Sequence, residues 1–497
     1  MESFRDPIIL SSVALYMLLC IAVGIWAMRR TTNTRDFFMA GRHLGIIVAG
    51  IAMFSSTMSG FGFVGGPGLV YALGASSLWI LITVPFSFAI CDFTVGKRLR
   101  MFAGVLDTIS LPDIIAARYD SEATRGLSAL AILLGVLGYL ATQMLAMATV
   151  LQSILINSNF WPEASFVACI VISSSVLVFY CVTGGMLASV YTDLVQGSIM
   201  MVAGVLVFIA AFSAVDGGAA GISSIIMADD PESMGPWGTI GMFACLSWLF
   251  MFTLGTAGQP HIVSKAMMIE DIRSYRFMPL VTVTGYTITA LLWVSIGLAM
   301  RALVLSGQHP ELASADAAAP EFLQHYAHPI LAGIVFAGLF AAIMSTSDAF
   351  LNIGAAALTH DIPKSLKRPV SNELHSARIG TIVIAVAAAA FALYSHYENA
   401  RLIALLGVFG WGTFAAALVP TVAVGLNWKR GTANAACAAI VTSLILNFTI
   451  EVFDIPLPGG IHGGTVALLA SLILYFGISY ASKPPKIDSR VSAVMDI

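Results

Sequence analysis

The sequence predicts an all-α polytopic membrane protein with about thirteen transmembrane helices. Composition is the first reason: 58% of the 497 residues are hydrophobic and only 10% are charged, whereas soluble domains carry roughly 25% charged residues. A series of apolar segments, each long enough to cross a bilayer, is the second. The third is an uneven distribution of Lys and Arg between alternate loops. Too few charged residues remain to cover a large soluble domain.

The apolar segments follow one another along the chain, separated by short polar breaks rich in Pro, Asn and Asp. The first segment is preceded by Glu2, Arg5 and Asp6 rather than by a basic region, so we interpret it as a retained helix and not as a cleaved signal. The predicted segments span roughly 8–28, 45–73, 76–96, 122–155, 164–183, 187–214, 238–261, 278–306, 328–358, 378–396, 401–425, 432–451 and 464–482.

The basic residues indicate an orientation. With the N-terminus outside, all of the 24 Lys and Arg residues except Arg5, Arg301 and Arg401 fall in cytoplasmic loops, Lys265 among them. Cytoplasmic loops of membrane proteins carry such an excess of Lys and Arg. We therefore expect a multi-pass protein of the cell's inner (plasma) membrane, with its N-terminus outside and its C-terminus in the cytoplasm.

The second segment contains an unusual stretch, "SSTMSGFGFVGGPG" at 55–68, with five glycines and a proline. A break in a membrane helix leaves backbone groups unsatisfied, which is tolerated only where the break faces protein, a cavity or a ligand. Transporters bind their cargo at discontinuous helices of this kind. Close packing of small residues is the alternative explanation.

The seventh segment contains a second interruption, "FTLGTAGQPHIVSK" at 252–265. The two breaks stand five segments apart, so segments two to six and seven to eleven can form two five-helix repeats. An odd number of helices per repeat inverts the second repeat. The predicted organisation is a first helix and cytoplasmic loop at 1–44, a first repeat at 45–214, a second repeat at 238–425, and two helices with a short tail at 426–497.

The ninth segment carries polar residues on one helical face. Ala342, Ser345 and Thr346 stand at positions i, i+3 and i+4, although Ser and Thr can also return hydrogen bonds to their own helix. Asp348 in this segment and Asp193 in the sixth are costly in a membrane, which makes each a functional candidate. Asp193 has an alternative role as a helix N-cap.

Several motifs stand in order along the chain: "DFFMAGRHLG", "STMSGFGFVGGPGLVYALG", "LPDIIAARY", "TGGMLASVYTDLVQ", "AGQPHIVSKAM", "AAIMSTSDAFLNIGAAALTHDI" and "GVFGWGTFAAALVPTVAVGLNWKRG". On these motifs the chain resembles the sodium/solute symporter family of proline, pantothenate, sugar and sialic acid symporters, most nearly its sodium/proline branch. The resemblance covers about residues 8–430. It implies a leucine-transporter-like 5+5 inverted repeat.

The resemblance also implies a sodium site where the second and ninth segments meet. Sodium is a hard cation, and such ions prefer oxygen ligands. Three carbonyls and two hydroxyls would supply them, so that no ligand is charged. Thr57 departs from the pattern, because proline-transporting relatives have an acidic residue there. The implied sodium ligands are Ser55, Met58, Ala342, Ser345 and Thr346.

Some family members bind a second sodium ion. The corresponding positions here are Asp193, Ser345, Asp348 and Ala349, and Ala349 offers no side-chain oxygen. We therefore expect one sodium per transport cycle. Asp193 and Asp348 then remain candidates for a second ion site or for the path by which the ion leaves.

The substrate is expected between the two broken helices. Few polar side chains stand there, and each buried sugar hydroxyl left unpaired would cost about 1–3 kcal/mol, so a small amino or carboxylic acid fits better. Backbone amides at a helix N-terminus can bind its carboxylate. For the aromatic residues, plain helix or lipid packing is the alternative. The candidate substrate residues are Phe61, Gly62, Gly65, Phe252, Thr256, Gln259 and Pro260.

The predicted function is sodium-coupled symport of a small solute, proline or a related acid, by alternating access. Monocarboxylate or pantothenate transport is the alternative, and coupling to protons through the two aspartates stays open. A sensor is less favoured, since residues 483–497 are too short for an output domain. The sequence shows no nucleophile–base pair of the kind that would indicate an enzyme. The expected partners are the solute, Na+ and the lipid bilayer, with no nucleic acid, and the protein is expected to work as a monomer.

Overall fold

The computed structural model describes residues 5–398 and 403–496, and these residues are predominantly helical. Within those ranges, β-type pairing is limited to one isolated bridge between Leu44 and Ile269. The helices are α1 (Arg5–Met28), α2 (Thr34–Met39), α3 (Ile46–Thr57), α4 (Gly66–Leu73), α5 (Leu78–Cys91), α6 (Lys97–Leu106), α7 (Leu111–Tyr119), α8 (Glu122–Asn157), α9 (Phe166–Ser213), α10 (Gly218–Asp229), α11 (Met242–Gly255), α12 (Pro260–Ala266), α13 (Met278–Leu305), α14 (Ala318–His325), α15 (Pro329–Ala356), α16 (Ile362–Ser365), α17 (Glu373–Glu398), α18 (Ile403–Leu418), α19 (Ala433–Val452), α20 (Gly463–Ala481) and α21 (Ser489–Met495).

Many of these helices are suited to a bilayer. Ten helical segments in the described chain are long and apolar enough to cross a membrane, and up to eleven if the bent pair α11–α12 counts as one span. Outer helices expose apolar side chains: Val383 and Val386 of α17 are 52% and 64% exposed. A soluble protein of this size would bury such a stripe, whereas lipid solvates it. The expected all-helical membrane protein is thus confirmed.

Helix α9 is kinked at Gly185, which has φ 55° and ψ −145°. A straight helix of 48 residues would be about 72 Å long, more than twice the hydrocarbon core of a bilayer. The kink divides α9 into a first arm (166–184) and a second arm (186–213). Glycine is required there, because a Cβ would lie 2.6 Å from Phe37 and this φ disfavours other residues.

The first predicted break is present between α3 and α4. Helix α3 ends at Thr57, and Met58 leaves helical geometry with ψ 88°. The chain then forms a π-helical turn, Phe61–Gly65, before α4 begins. The glycines allow close packing here: a Cβ on Gly66 would lie 2.4 Å from the Trp293 ring.

The second predicted break lies between α11 and α12, which are bent by 45°. Gln259 takes an extended conformation with ψ 105°. Pro260 then begins α12, where its missing N–H is not needed and its ring suits the first helical turn. Both Gly/Pro-rich stretches therefore interrupt their helices, as the sequence predicts.

Helix α15 occupies the centre of the bundle. It packs against α1, α3, α8, α9 and α17, and its segment from Ser345 to Asp348 is completely buried. The short helix α12 packs against both α3 and α15. The two broken helices and the polar part of α15 therefore meet inside the protein.

One assignment made from the sequence is wrong. The positive-inside pattern assigns Lys265 to a cytoplasmic loop, but this residue lies in α12 and is 0% exposed. The positive-inside pattern does not distinguish a loop lysine from one at the end of a broken span, since both stand just after an apolar segment. Arg401, assigned to an outer loop, lies outside the described residues.

Candidate functional site

The break after α3 releases backbone carbonyls. The amide of Gly60 donates to the Gln143 side chain at 2.7 Å, and the amide of Phe61 donates to the Ser59 hydroxyl at 3.1 Å. In a continuous helix the Gly60 amide would instead bind the carbonyl four residues earlier, that of Ser56. That carbonyl is therefore available to another partner.

Helix α15 supplies this partner. The Thr346 hydroxyl donates to the Ser56 carbonyl at 2.8 Å and lies 3.4 Å from the Ala342 carbonyl. The hydroxyl oxygens of Ser55 and Ser345 are 2.6 Å apart. All of these residues are 0% exposed. Hydroxyl and carbonyl oxygens from two helices thus share one buried position.

The structure brings together four of the five residues that the sequence predicts as sodium ligands, Ser55, Ala342, Ser345 and Thr346. Met58, the fifth, follows the last residue of α3 at the break, where its amide donates to the Phe54 carbonyl at 3.0 Å. Ser56 was missed, although its carbonyl is the one that Thr346 contacts. Its position inside the "SSTMSG" break was the available signal.

A buried ion pair lies beside these oxygens. The Lys265 ammonium is 2.6 Å from the Asp193 carboxylate, and both side chains are 0% exposed. The ammonium also donates to the Ala52 carbonyl at 2.9 Å and to the Ser56 hydroxyl. Asp193 lies eight residues into the second arm of α9, so it does not cap that helix, the alternative considered from the sequence.

Asp348, the second intramembrane aspartate, is held by hydroxyl groups. The Tyr180 hydroxyl donates to Oδ2 at 2.9 Å, and the Ser189 hydroxyl donates to Oδ1 at 2.6 Å. Tyr180 and Ser189 lie on the two arms of α9, on either side of Gly185. Asp348 therefore fastens both arms of α9 to α15.

The aromatic residues predicted near the substrate are brought together. The Phe61 ring stacks on Phe252, with centroids 6.2 Å apart, and makes a T-shaped contact with Trp293, with centroids 5.3 Å apart. Phe252 also contacts Trp411, at 5.1 Å between centroids. Both broken helices thus contribute to one aromatic cluster, to which α13 and α18 add a tryptophan each.

Of the other candidate substrate residues, Thr256 and Gln259 form hydrogen bonds within the bundle, whereas Pro260 lies at a small cavity. The Thr256 hydroxyl is 2.6 Å from that of Ser87 on α5, so it is already hydrogen-bonded within the bundle. Gln259 donates to the carbonyls of Gly255 and Trp411, each at 3.1 Å. Pro260 lines a cavity of about 20 Å³, room for a water molecule, together with residues of α12 and α15.

Gly62 and Gly65 lie within the π-helical turn. A Cβ on Gly62 would meet the Met58 sulfur at 3.3 Å. The two amides that open the turn, those of Gly60 and Phe61, already bind side chains, so a carboxylate would have to displace Gln143 and Ser59 to use them.

Sequence reasoning missed several polar groups around the aromatic cluster. Gln143 Nε2, both His261 ring nitrogens and the indole nitrogens of Trp293 and Trp411 are buried without a hydrogen-bond partner in the described chain. The same holds for Oε1 of Gln259, a residue that the sequence already predicts as a substrate contact. Buried polar groups are normally paired, so these are candidate contacts for a polar ligand. The His of "GQPH" and Gln143, one of two glutamines in the apolar α8, were the available signals.

A separate charged cluster lies where α7 meets the end of α15. Asp113 binds His360 and Lys364, each at 3.1 Å, and also Arg125. Burial raises the pKa of Asp113, but the hydrogen bond from His360 and the charges of His360, Lys364 and Arg125 lower it more, so the pKa lies well below its usual range. This carboxylate is therefore a structural anion that ties α7 to the bundle core.

These features define a class. An all-helical membrane protein whose two discontinuous helices converge on buried oxygens and an aromatic cluster has the architecture of a membrane transport protein. The sequence model of the family described as "Sodium:solute symporter family" matches residues 37–443. The chain belongs to that family, and its function is accordingly sodium-coupled solute transport.

Similar proteins agree with this assignment. The chain is 28% identical to the osmoregulated proline transporter OpuE of Bacillus subtilis, over 98% of each chain. It is 27% identical to a sodium/proline symporter of Staphylococcus aureus, over 98% of this chain and 95% of that one. The resemblance to the sodium/proline branch is thereby confirmed at the level of sequence.

Solved structures show the same fold. A substrate-bound, outward-open Na+-coupled sialic acid symporter has a TM-score of 0.80 at 19% identity, covering 97% of this chain and 99% of that chain. MhsT in complex with L-phenylalanine has a TM-score of 0.53 at 11% identity, covering 88% and 98%. These similarities agree with the leucine-transporter-like architecture expected from the sequence.

Proposed function

We propose that the protein is a secondary active symporter that couples sodium entry to uptake of a small amino or carboxylic acid, proline or a close relative. The observation that carries the proposal is the contact of Thr346 with the Ser56 carbonyl at 2.8 Å, beside the paired hydroxyls of Ser55 and Ser345. Neutral oxygens gathered at a helix break suit a hard monovalent cation that must bind and leave.

The aromatic cluster supports the choice of solute. Phe61, Phe252, Trp293 and Trp411 offer large apolar faces, and the unpartnered polar atoms beside them belong to Gln143, Gln259, His261 and the two indoles. Such a pocket suits a small solute with one apolar side and one charged end better than a sugar. The named proline transporters among the relatives favour proline itself, with monocarboxylates and pantothenate as alternatives.

Sodium and solute are coupled through the break. An ion held between α3 and α15 stabilises the shape of the segment from Met58 to Gly65, which carries Phe61. Each ligand then strengthens binding of the other by the same factor. Inward movement of one positive charge releases about 2.3 kcal/mol per 100 mV of membrane potential, which drives accumulation.

We further propose thirteen spans in the inner (plasma) membrane, with the N-terminus outside and the C-terminus in the cytoplasm. Division of α9 at Gly185 and of the apolar stretch 61–106 at the 3-10 turn Gly74–Ser77 supports this number. The inverted repeats then occupy 45–214 and 238–425. The monomer is the proposed working unit, because both broken helices come from one chain.

Uptake by proteoliposomes tests the function. Purified protein should accumulate radiolabelled proline under an inward sodium gradient and should not do so when choline replaces sodium at constant pH. Uptake that persists in choline and follows a proton gradient would instead support proton coupling. If proline is not taken up, a thermal-shift screen of small acids, with and without sodium, should find a stabiliser that acts only in sodium.

A further inference from the structure

The Lys265 ammonium has a complete set of hydrogen-bond partners inside the helix bundle. Its three protons go to the Ala52 carbonyl, the Ser56 hydroxyl and the Asp193 carboxylate. A carbonyl, a hydroxyl and a carboxylate are also the oxygen types that hard metal cations bind. The ammonium therefore occupies a position built from cation ligands.

This arrangement is costly if its role is only structural. Removing an ammonium and a carboxylate from water costs several kcal/mol for each ion, and replacing such a pair by apolar residues is often neutral or stabilising. Ionisable residues within membrane helices accordingly mark ion pathways or coupling sites. Lys265 and Asp193, each 0% exposed, call for such an explanation.

The ammonium lies directly beside the proposed sodium position. Ser56 contributes its hydroxyl to Lys265 and its carbonyl to Thr346, so one residue connects the two. Helix α12, which carries Lys265, begins at the second break. The pair thus links the second broken helix to the first and to the second arm of α9.

Asp193 is not fully used by this pair. Its Oδ2 binds Lys265, while its Oδ1 is buried and makes no direct hydrogen bond in the described chain, with the hydroxyls of Ser55 and Ser345 close beside the carboxylate. If Lys265 lost its charge, Asp193 would present an uncompensated carboxylate beside the hydroxyls of Ser55, Ser56 and Ser345. A second sodium ion is the natural replacement.

We propose that Lys265 is a built-in cation that takes the place of a second sodium ion at Asp193, so that transport is coupled to one sodium per solute. This inference rests on the proposed function and adds its stoichiometry. The tethered ammonium carries the positive charge of an ion and contacts the same oxygen atoms that an ion would bind, but it is not transported. The Lys265→Gln variant should therefore create a second sodium site.

The test counts sodium ions bound to the purified protein. The number of ²²Na+ ions bound per chain at saturation should be one for the unaltered protein. It should be two for Lys265→Gln, with a Hill coefficient above one. Lys265→Gln combined with Asp193→Asn should return the number to one, because the anion that holds the second ion is gone. Lys364→Gln, which removes a lysine paired with Asp113 outside the site, should leave it at one.

Each result has a distinct meaning. One ion in both the unaltered protein and Lys265→Gln, or two ions in the double variant, would overturn the inference while leaving sodium coupling intact. No sodium binding by the unaltered protein would overturn the proposed function instead. If Lys265→Gln does not fold, the reversal potential of transport by the unaltered protein decides: one sodium per solute supports the inference, and two overturn it.

Discussion

The Thr346 hydroxyl donates a hydrogen bond of 2.8 Å to the Ser56 carbonyl and so joins the centre of α15 to the break after α3. The two residues are 290 positions apart in the chain. In the proposed function, a sodium ion would share these oxygens. Movement of either helix would then change the affinity for sodium.

Replacement of Thr346 by Ala should weaken sodium binding. The variant loses a hydroxyl ligand, and we expect the sodium concentration for half-maximal uptake to rise at least about tenfold, equivalent to about 1.4 kcal/mol. Ser347→Ala is the matched control, since that hydroxyl binds its own helix at Ile343. An unchanged sodium requirement in Thr346→Ala would exclude this residue as a ligand.

The Phe61→Leu variant should show whether Phe61 binds the substrate or only packs against its neighbours. Leucine keeps an apolar side chain but removes the ring that stacks on Phe252, and an aromatic pair is worth about 0.5–1.5 kcal/mol beyond its buried area. Solute affinity should fall severalfold with sodium affinity of the solute-free protein unchanged. A lower melting temperature with normal solute affinity would mean that Phe61 only packs. Phe93→Leu, at a position 71% exposed, is the control.

Gly185→Ala should destabilise the protein in detergent. The substitution forces a left-handed φ on alanine and places its Cβ 2.6 Å from Phe37. Strain of this kind costs about 1–3 kcal/mol, so we expect a lower melting temperature and a lower yield. Gly477→Ala serves as the control, because a Cβ there meets nothing within 4 Å. Equal melting temperatures for the two variants would contradict the strained turn.

Asp113→Asn should lower stability in a pH-dependent way. Removing one partner of a buried ion pair costs about 3–5 kcal/mol. Because the pKa of Asp113 is lowered by folding, its contribution is complete well above the ordinary Asp value of about 3.9 and is lost as the pH falls below it. The difference in melting temperature between unaltered protein and variant should therefore be largest near pH 7 and shrink below pH ~4.

Asp107→Asn provides the comparison for that experiment. Asp107 pairs with Arg35 and Arg42, but its side chain is 74% exposed. Exposed ion pairs contribute about 0–1 kcal/mol, so this variant should melt close to the unaltered protein at every pH. A loss as large as that of Asp113→Asn would show that burial does not determine the effect.

The sequence predicts the broken helices well because their causes are local. Glycine and proline weaken a helix wherever they stand, and the breaks at Met58 and Gln259 lie inside the two stretches singled out for that reason. The family assignment and the all-helical membrane fold are also confirmed. Both could be predicted because they depend on composition and on motifs that stand in order along the chain. The count of thirteen spans stays a prediction.

Partners across long distances could not be predicted in the same way. Lys265 and Asp193 are 72 positions apart, and Gly60 and Gln143 are 83 apart. Nothing in the local pattern of either residue specifies the other. A lysine just after an apolar segment satisfies the positive-inside rule equally well in a loop or in a buried ion pair, so the rule alone assigns Lys265 to a loop.

The attachment of Asp348 to both Tyr180 and Ser189 has a mechanical consequence. Since the Asp348 carboxylate binds both arms of α9, α15 cannot rotate without moving both arms. The three segments should therefore move as one rigid body. The flexibility needed to open and close the transport pathway must then come from the hinges at Met58 and Gln259. Spin labels on α15 and α9 should keep a constant separation through the transport cycle, while labels across either hinge should not.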